Sequence, residues 1–200
     1  IEHISSLARF YYVRQKSPLG DGHAILEAKN LIDPNEPVVI LFGDDIVVSK
    51  KPIISEMIDV YNKFGKTVLA VDRVPQKDTS QYGIVSVVKS QGQIHEINDF
   101  IEKPEPAVAP SNLAWIGKSI VPPEVMRALA KVKPSKNGEI RLADAFHEVL
   151  KKETFYAYEI DGKRFDCGSK LGFLKATIHF GLEHKELKND FAKYLKSIKI

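Results

Sequence analysis

Apolar positions along the chain fall into short unbroken runs and longer periodic stretches, and the two alternate. Residues 10–14 (FYYVR) are aromatic and β-branched and predict a strand. The run at 38–42 (VVILF) and the stretch TVLAVDRV (67–74) are continuously apolar, as expected of strands buried on both faces. Between the first two of these strands AILEAKNL (24–31) predicts a helix. A second helix follows Pro52, with apolar residues at Ile54, Ile58 and Tyr61 and a stop at Gly65. This order of strand, helix, strand, helix, strand predicts an α/β fold with a parallel, Rossmann-like sheet covered by helices on both faces.

After Pro75 the rhythm changes. Residues 82–88 and 93–100 predict paired strands around KSQGQ, and 112–121 a further strand. Helices are expected from near Pro123 and over 139–152, the latter carrying Leu142, Phe146, Val149 and Leu150 on one stripe. FYAYEI and RFDCG flank Asp161-Gly162, a hairpin-turn signal. Two amphipathic helices, about 169–183 and 190–198, close the chain. With no repeat or linker, residues 1–200 are expected to form one domain, a mixed sheet with antiparallel additions, and 169–200 its C-terminal helical extension.

Composition narrows the function classes. Two hundred residues at 44% hydrophobic content can bury a sizeable core. A net charge of +3, with Lys193, Lys196 and Lys199 reading as the wet face of a helix, offers no basic stripe for nucleic acid. One cysteine, Cys167, excludes a disulfide framework and fits a reducing cytoplasm. No run has the length of about 20 apolar residues that spans a bilayer. The six histidines show no metal-binding spacing, and no G-x-S-x-G supports hydrolase chemistry.

Four places carry candidate chemistry. The run at 38–42 ends at Gly43, Asp44 and Asp45, where ligands bind in open α/β sheets. A carboxylate there suits Mg²⁺, and equally suits a helix cap or turn. Asp166, in RFDCG, is a second strand-end carboxylate with the same two readings. PLGDGH (18–23) sets two glycines between a predicted strand and a helix, an anion cradle or a plain tight turn. IEKP (101–104) pairs Glu102 with Lys103, suited to hydroxyls and phosphate or to a solvated surface.

RQKSPLGDGHA, LFGDDI, YGIV, FIEKPEPAVAPSNLAWIGKSIV, GEIRLADA and GKRFDCGSKLGFLKATIHF occur in the order found in UTP–glucose-1-phosphate uridylyltransferases, over essentially the whole chain. This resemblance, within the sugar nucleotidyltransferases, implies a glycosyltransferase-A-like fold. It implies Mg²⁺-dependent transfer of a uridylyl group from UTP to glucose 1-phosphate, giving UDP-glucose. By the same resemblance Gln15 and Gly20 would read the uracil, and Asp44 and Asp166 would hold Mg²⁺. Gly83 would bring backbone against the glucose, Glu102 would bind its hydroxyls, and Lys103 would reach its phosphate. Trp115 stands where the family has a sugar-pocket residue, usually aliphatic. The family reads GEIQLTDA where this chain has Arg141 and Ala143; the segment is expected to start a helix, with Glu139 capping it. The family also opens with a strand and a G-x-G-T-R-type loop that nothing in residues 1–14 resembles, so the chain is expected to be incomplete at its N-terminus. Alternatives are a thymidylyltransferase and a non-catalytic sugar-nucleotide-binding module. A homodimer or homotetramer is implied by the resemblance and by the apolar surface of the last two helices.

Overall fold

The computed structural model describes residues 6–199. Six strands form one sheet in the order β1-β6-β3-β7-β5-β4, built from β1 (Val38–Leu41), β3 (Val68–Arg73), β4 (Gly83–Gln91), β5 (Ile94–Glu102), β6 (Leu113–Val121) and β7 (Phe155–Glu159). Two further strands, β2 (Asp45–Ser49) and β8 (Gly162–Asp166), pair with each other alone. The helices are α1 (Asp21–Glu27), α2 (Ile53–Phe64), α3 (Pro123–Leu129), α4 (Leu142–Leu150), α5 (Lys170–Glu183) and α6 (Lys188–Ser197).

The sheet is mixed, and β3–β7 is its parallel pair. This is the expected mixed sheet; only the reading of the first three strands as parallel neighbours changes, because β6 inserts antiparallel between β1 and β3, which the local pattern cannot reveal. The two faces alternate as the pleat requires. Leu69 and Val71 of β3 enter a core with Phe100, Trp115, Phe146 and Leu129, beneath α3 and α4. Val68 and Ala70 enter another with Met57, Val60 and Tyr158, beneath α2. Helices on both faces are therefore observed as expected.

Several local expectations change. Residues 9–15 form no strand: Phe10, Tyr11 and Tyr12 are exposed, and aromatic β-propensity alone does not supply a ladder partner. Residues 1–5, part of an opening segment that resembles a helix tail, lie outside the described residues. The buried stripe of α2 is Ile53, Met57 and Val60, one position before the predicted Ile54, Ile58 and Tyr61. Both stripes are apolar, and packing onto the sheet chose between them. Gly65 does end this helix, at φ 62°. The first helix begins at Asp21, and Lys29–Leu31 continue as a 3₁₀ turn. The hairpin around Asp161-Gly162 does not form. β7 stays in the large sheet between β3 and β5, while β8 leaves it to pair with β2, a strand the pattern did not mark.

Aromatic rings close the first core. Phe146 is fully buried and meets Phe100, Trp115 and Phe155 edge-on at 5.5–6.0 Å. Phe146→Ala is expected to destabilise the fold by about 3–5 kcal/mol. In urea unfolding the midpoint should fall with little change in slope; a loss under about 1 kcal/mol would mean that α4 is not held by this ring.

Candidate active site

The site is assembled where β2 and β8 meet. Their antiparallel register sets Asp45 opposite Asp166, and the Cys167 N–H donates to the Asp44 carbonyl at 2.7 Å. The two aspartates of the doubled pair then diverge. Asp45 turns inward, where the Arg164 guanidinium grips both its oxygens at 2.5 and 3.0 Å. Asp44 turns toward Asp166 instead. A Cβ on Gly168 would sit 3.0 Å from Asp44 Oδ2 and 3.2 Å from Asp166 Oδ1, so both oxygens face the one space that Gly168 leaves open.

Asp166 is held from several sides. Its Oδ1 accepts the Gly168 N–H at 3.1 Å and its Oδ2 the Tyr82 hydroxyl at 2.9 Å. Its carbonyl takes the Ser169 hydroxyl at 3.1 Å, and Ser169 in turn caps α5 by accepting the Gly172 N–H. A Cβ on Gly172 would lie 1.8 Å from that carbonyl, so only glycine lets the helix approach so closely. Lys118 donates to the Asp45 carbonyl at 2.5 Å, and burial pushes its ammonium down against the pull of Asp45.

A second group lies at the end of the β4–β5 hairpin. Gly83 pairs with Glu102, and a Cβ there would meet the Phe100 ring at 2.1 Å. Burial pushes the Glu102 carboxyl up, partly offset by the positive charges of Lys103 and Arg141. Lys103 takes a left-handed backbone, φ 50°, held by its N–H donating to the Tyr82 carbonyl at 2.9 Å. Its ammonium is exposed, 3.9 Å from Glu102.

The third group is the loop before α1. Gln15 donates to the Gly20 carbonyl at 2.9 Å and lies 3.0 Å from the His23 ring. Gly20 has φ 99°, and a Cβ there would come within 2.4 Å of the Ile140 carbonyl. Asp21 accepts the N–H groups of Gly22 at 2.7 Å and of Leu142 at 3.1 Å, so it caps α4 from a distant part of the chain. The expected cap, Glu139, is engaged by Arg141 at 2.9 Å instead, and α4 starts only at Leu142.

Tyr82 joins the carboxylate pair to the hairpin group, donating its hydroxyl to Asp166 and accepting the Lys103 N–H at its carbonyl. Asp44, Asp166, Gly83, Glu102 and Lys103 thus belong to one connected region, while Gln15 and Gly20 lie together against Ile140. Trp115 lies behind that region, its ring 5.7 Å from that of Phe100, which fills the space beside Gly83. Its ring is buried, its indole N–H donates to the Lys118 carbonyl and the Ser119 hydroxyl, and its edge supports Phe42 just before Gly43. Sequence reasoning passed over Arg164, Tyr82 and Asp21. The signal for Arg164 was its place two residues before Asp166, on the same face of a strand.

Two carboxylates around a side-chain-free position form a hard oxygen donor set. That suits a cation which takes its remaining ligands from phosphate and water. Among the described residues no cluster of three or more His, Cys, Asp or Glu forms a complete metal cage.

Residues 2–180 match the nucleotidyl transferase family. The chain is 40% identical, over all 200 residues, to a UTP–glucose-1-phosphate uridylyltransferase of Staphylococcus epidermidis, of which it spans 69%. A UTP-bound UGPase from Acinetobacter baumannii is 36% identical with a TM-score of 0.84, the match covering 94% of this chain and 65% of that one. A UDP-glucose pyrophosphorylase complexed with UDP-glucose is 37% identical with a TM-score of 0.81, the match covering 88% of this chain and 67% of that one.

Because Asp21 ties the loop to α4, Asp21→Ala is expected to cost about 1–2 kcal/mol in chemical unfolding. Hydrogen exchange should quicken at Gly22 and Leu142 first; unchanged protection at Leu142 would show that the cap contributes nothing.

Proposed function

This chain belongs to the nucleotidyl transferase family, among the UTP–glucose-1-phosphate uridylyltransferases, and on that premise we propose that it makes UDP-glucose. In the proposed reaction a phosphate oxygen of glucose 1-phosphate attacks the α-phosphorus of UTP, and pyrophosphate leaves. The observation that carries this reading is the convergence of Asp44 and Asp166 on the gap at Gly168. Such a transfer needs positioning and charge neutralisation rather than a protein nucleophile.

The roles follow the placement of the residues. Gln15 and the Gly20 backbone would meet the uracil edge, with Gln15 already oriented by its bond to Gly20. The Gly83 backbone would lie against the glucose, with the Phe100 ring filling the space where a side chain would stand. The half-buried Glu102 carboxylate, short of water, favours donors such as sugar hydroxyls. Lys103, exposed and only loosely paired, is free to offset the charge of the sugar phosphate. Trp115 would act from behind, through Phe42. Asp44 and Asp166 would hold Mg²⁺, which when bound neutralises and orients phosphate oxygens.

The wider setting is part of the same proposal. The chain acts as one nucleotidyltransferase domain, with α5 and α6 as a helical extension, on small-molecule substrates rather than nucleic acid. The exposed Leu171, Phe173, Leu174 and Ile178 of α5 support a homodimer or homotetramer. A cytoplasmic setting fits the single cysteine. Among the described residues, no helix is long and apolar enough to cross a membrane.

Pyrophosphate release from UTP and glucose 1-phosphate with Mg²⁺ tests the reading. Asp44→Ala is expected to lose several kcal/mol of charge stabilisation, more than about a hundredfold in rate, with little change in melting temperature. A near-normal rate for this variant at saturating Mg²⁺ overturns the role of Asp44. Equal turnover with dTTP overturns the uridylyl assignment. Calorimetric binding of UDP-glucose without turnover would point to a sugar-nucleotide-binding module.

A further inference from the structure

We infer that Tyr82, locked in place by the Asp45–Arg164 ion pair, is a positioning residue that aims the Asp166 carboxylate at the divalent cation. The inference rests on the metal reading above and assigns the residues that make that site work.

A carboxylate on an aspartate can rotate about its last side-chain bond, and only one orientation presents a given oxygen to a shared ion. In Asp166 the two oxygens have separate duties. Oδ1 points to the gap at Gly168, where Asp44 Oδ2 also points. Oδ2 is turned away and bound by the Tyr82 hydroxyl at 2.9 Å. The Gly168 N–H also reaches Oδ1, but it lies on the same turn as Asp166 and moves with it. Tyr82 comes from just before β4, 84 residues away, so its hydroxyl is a reference point outside that turn.

The reference point is itself held. The Arg164 guanidinium lies over the Tyr82 ring at 4.7 Å and is nearly buried. Both Asp45 oxygens fix that guanidinium in a two-pronged contact, which sets its plane as well as its place. Arg164 Nη2 also stands 3.9 Å from Asp166 Oδ2, too far for a hydrogen bond. The second aspartate of the Gly-Asp-Asp stretch thus serves the first at one remove. Asp44 faces the ion, and Asp45 orders the side chains that orient its partner.

The test is direct Mn²⁺ binding, read by electron paramagnetic resonance with UTP present, on the wild type, Tyr82→Phe and Tyr158→Phe. Tyr82→Phe keeps the ring under Arg164 and removes only the hydroxyl. Tyr158→Phe removes another hydroxyl, that of a buried ring in the core beneath α2, which donates to Glu56 at 2.7 Å. For Tyr82→Phe the Mn²⁺ dissociation constant is expected to rise about tenfold, as is usual when a partner of a metal ligand is lost. The metal concentration for half-maximal rate should rise by the same factor, with kcat at saturating metal changed little. Tyr158→Phe should lower the melting temperature while leaving Mn²⁺ affinity alone. A dissociation constant for Tyr82→Phe within about twofold of wild type overturns the inference, and so does an equal loss in Tyr158→Phe. If the wild type binds no Mn²⁺, the metal reading and the inference fall together.

Discussion

The antiparallel pairing of β2 with β8 is the constraint on which the site depends. It places Asp45 opposite Asp166 across more than a hundred residues of chain and puts Arg164 on the same face. The pairing lies outside the six-stranded sheet. Arg164 and Asp45 pin it from within. Taking such a pair out of water is costly, and a hydrophobic pair of the same volume would serve stability as well. What an ion pair supplies is direction: a two-pronged contact is satisfied in one geometry only.

Around that constraint, glycines set how closely the segments approach. Gly172 lets the first turn of α5 rest on the Asp166 carbonyl, and Gly168 leaves empty the position that two carboxylates face. The Gly20 loop is held by a different means, a carboxylate on α1 that caps α4. Strand ends deliver the charged groups, and close backbone contacts fix their spacing.

Much of the fold was legible because strand and helix leave different periods in the chain. The hairpin of β4 and β5, the buried β3 and β6, and the last two helices follow from pattern alone. Legibility fails where two readings have equal apolar content. In α2 the stripes through Ile53 and Ile54 differ by one residue, and only the sheet beneath selects the first. The Asp161-Gly162 signal separates two strands but makes no hairpin, since β8 pairs with β2 instead. Residues 10–14 have strand composition and no neighbour to pair with. For the site, the motifs marked Asp44, Asp166, Glu102 and Lys103, while Tyr82 and Arg164 were seen only as their neighbours.

By itself the sequence determined which residue types stand at which strand ends, and the ordered motifs that fix the family. Those are local properties, set by composition, period and chain direction. The tertiary structure decided which aspartate of the doubled pair faces the open space, which distant tyrosine steadies the other carboxylate, and that Trp115 belongs to the core. Each of these depends on register between segments far apart in the chain. A shift of one residue along a strand reverses every side chain on it, and nothing in either segment alone records the register it will take.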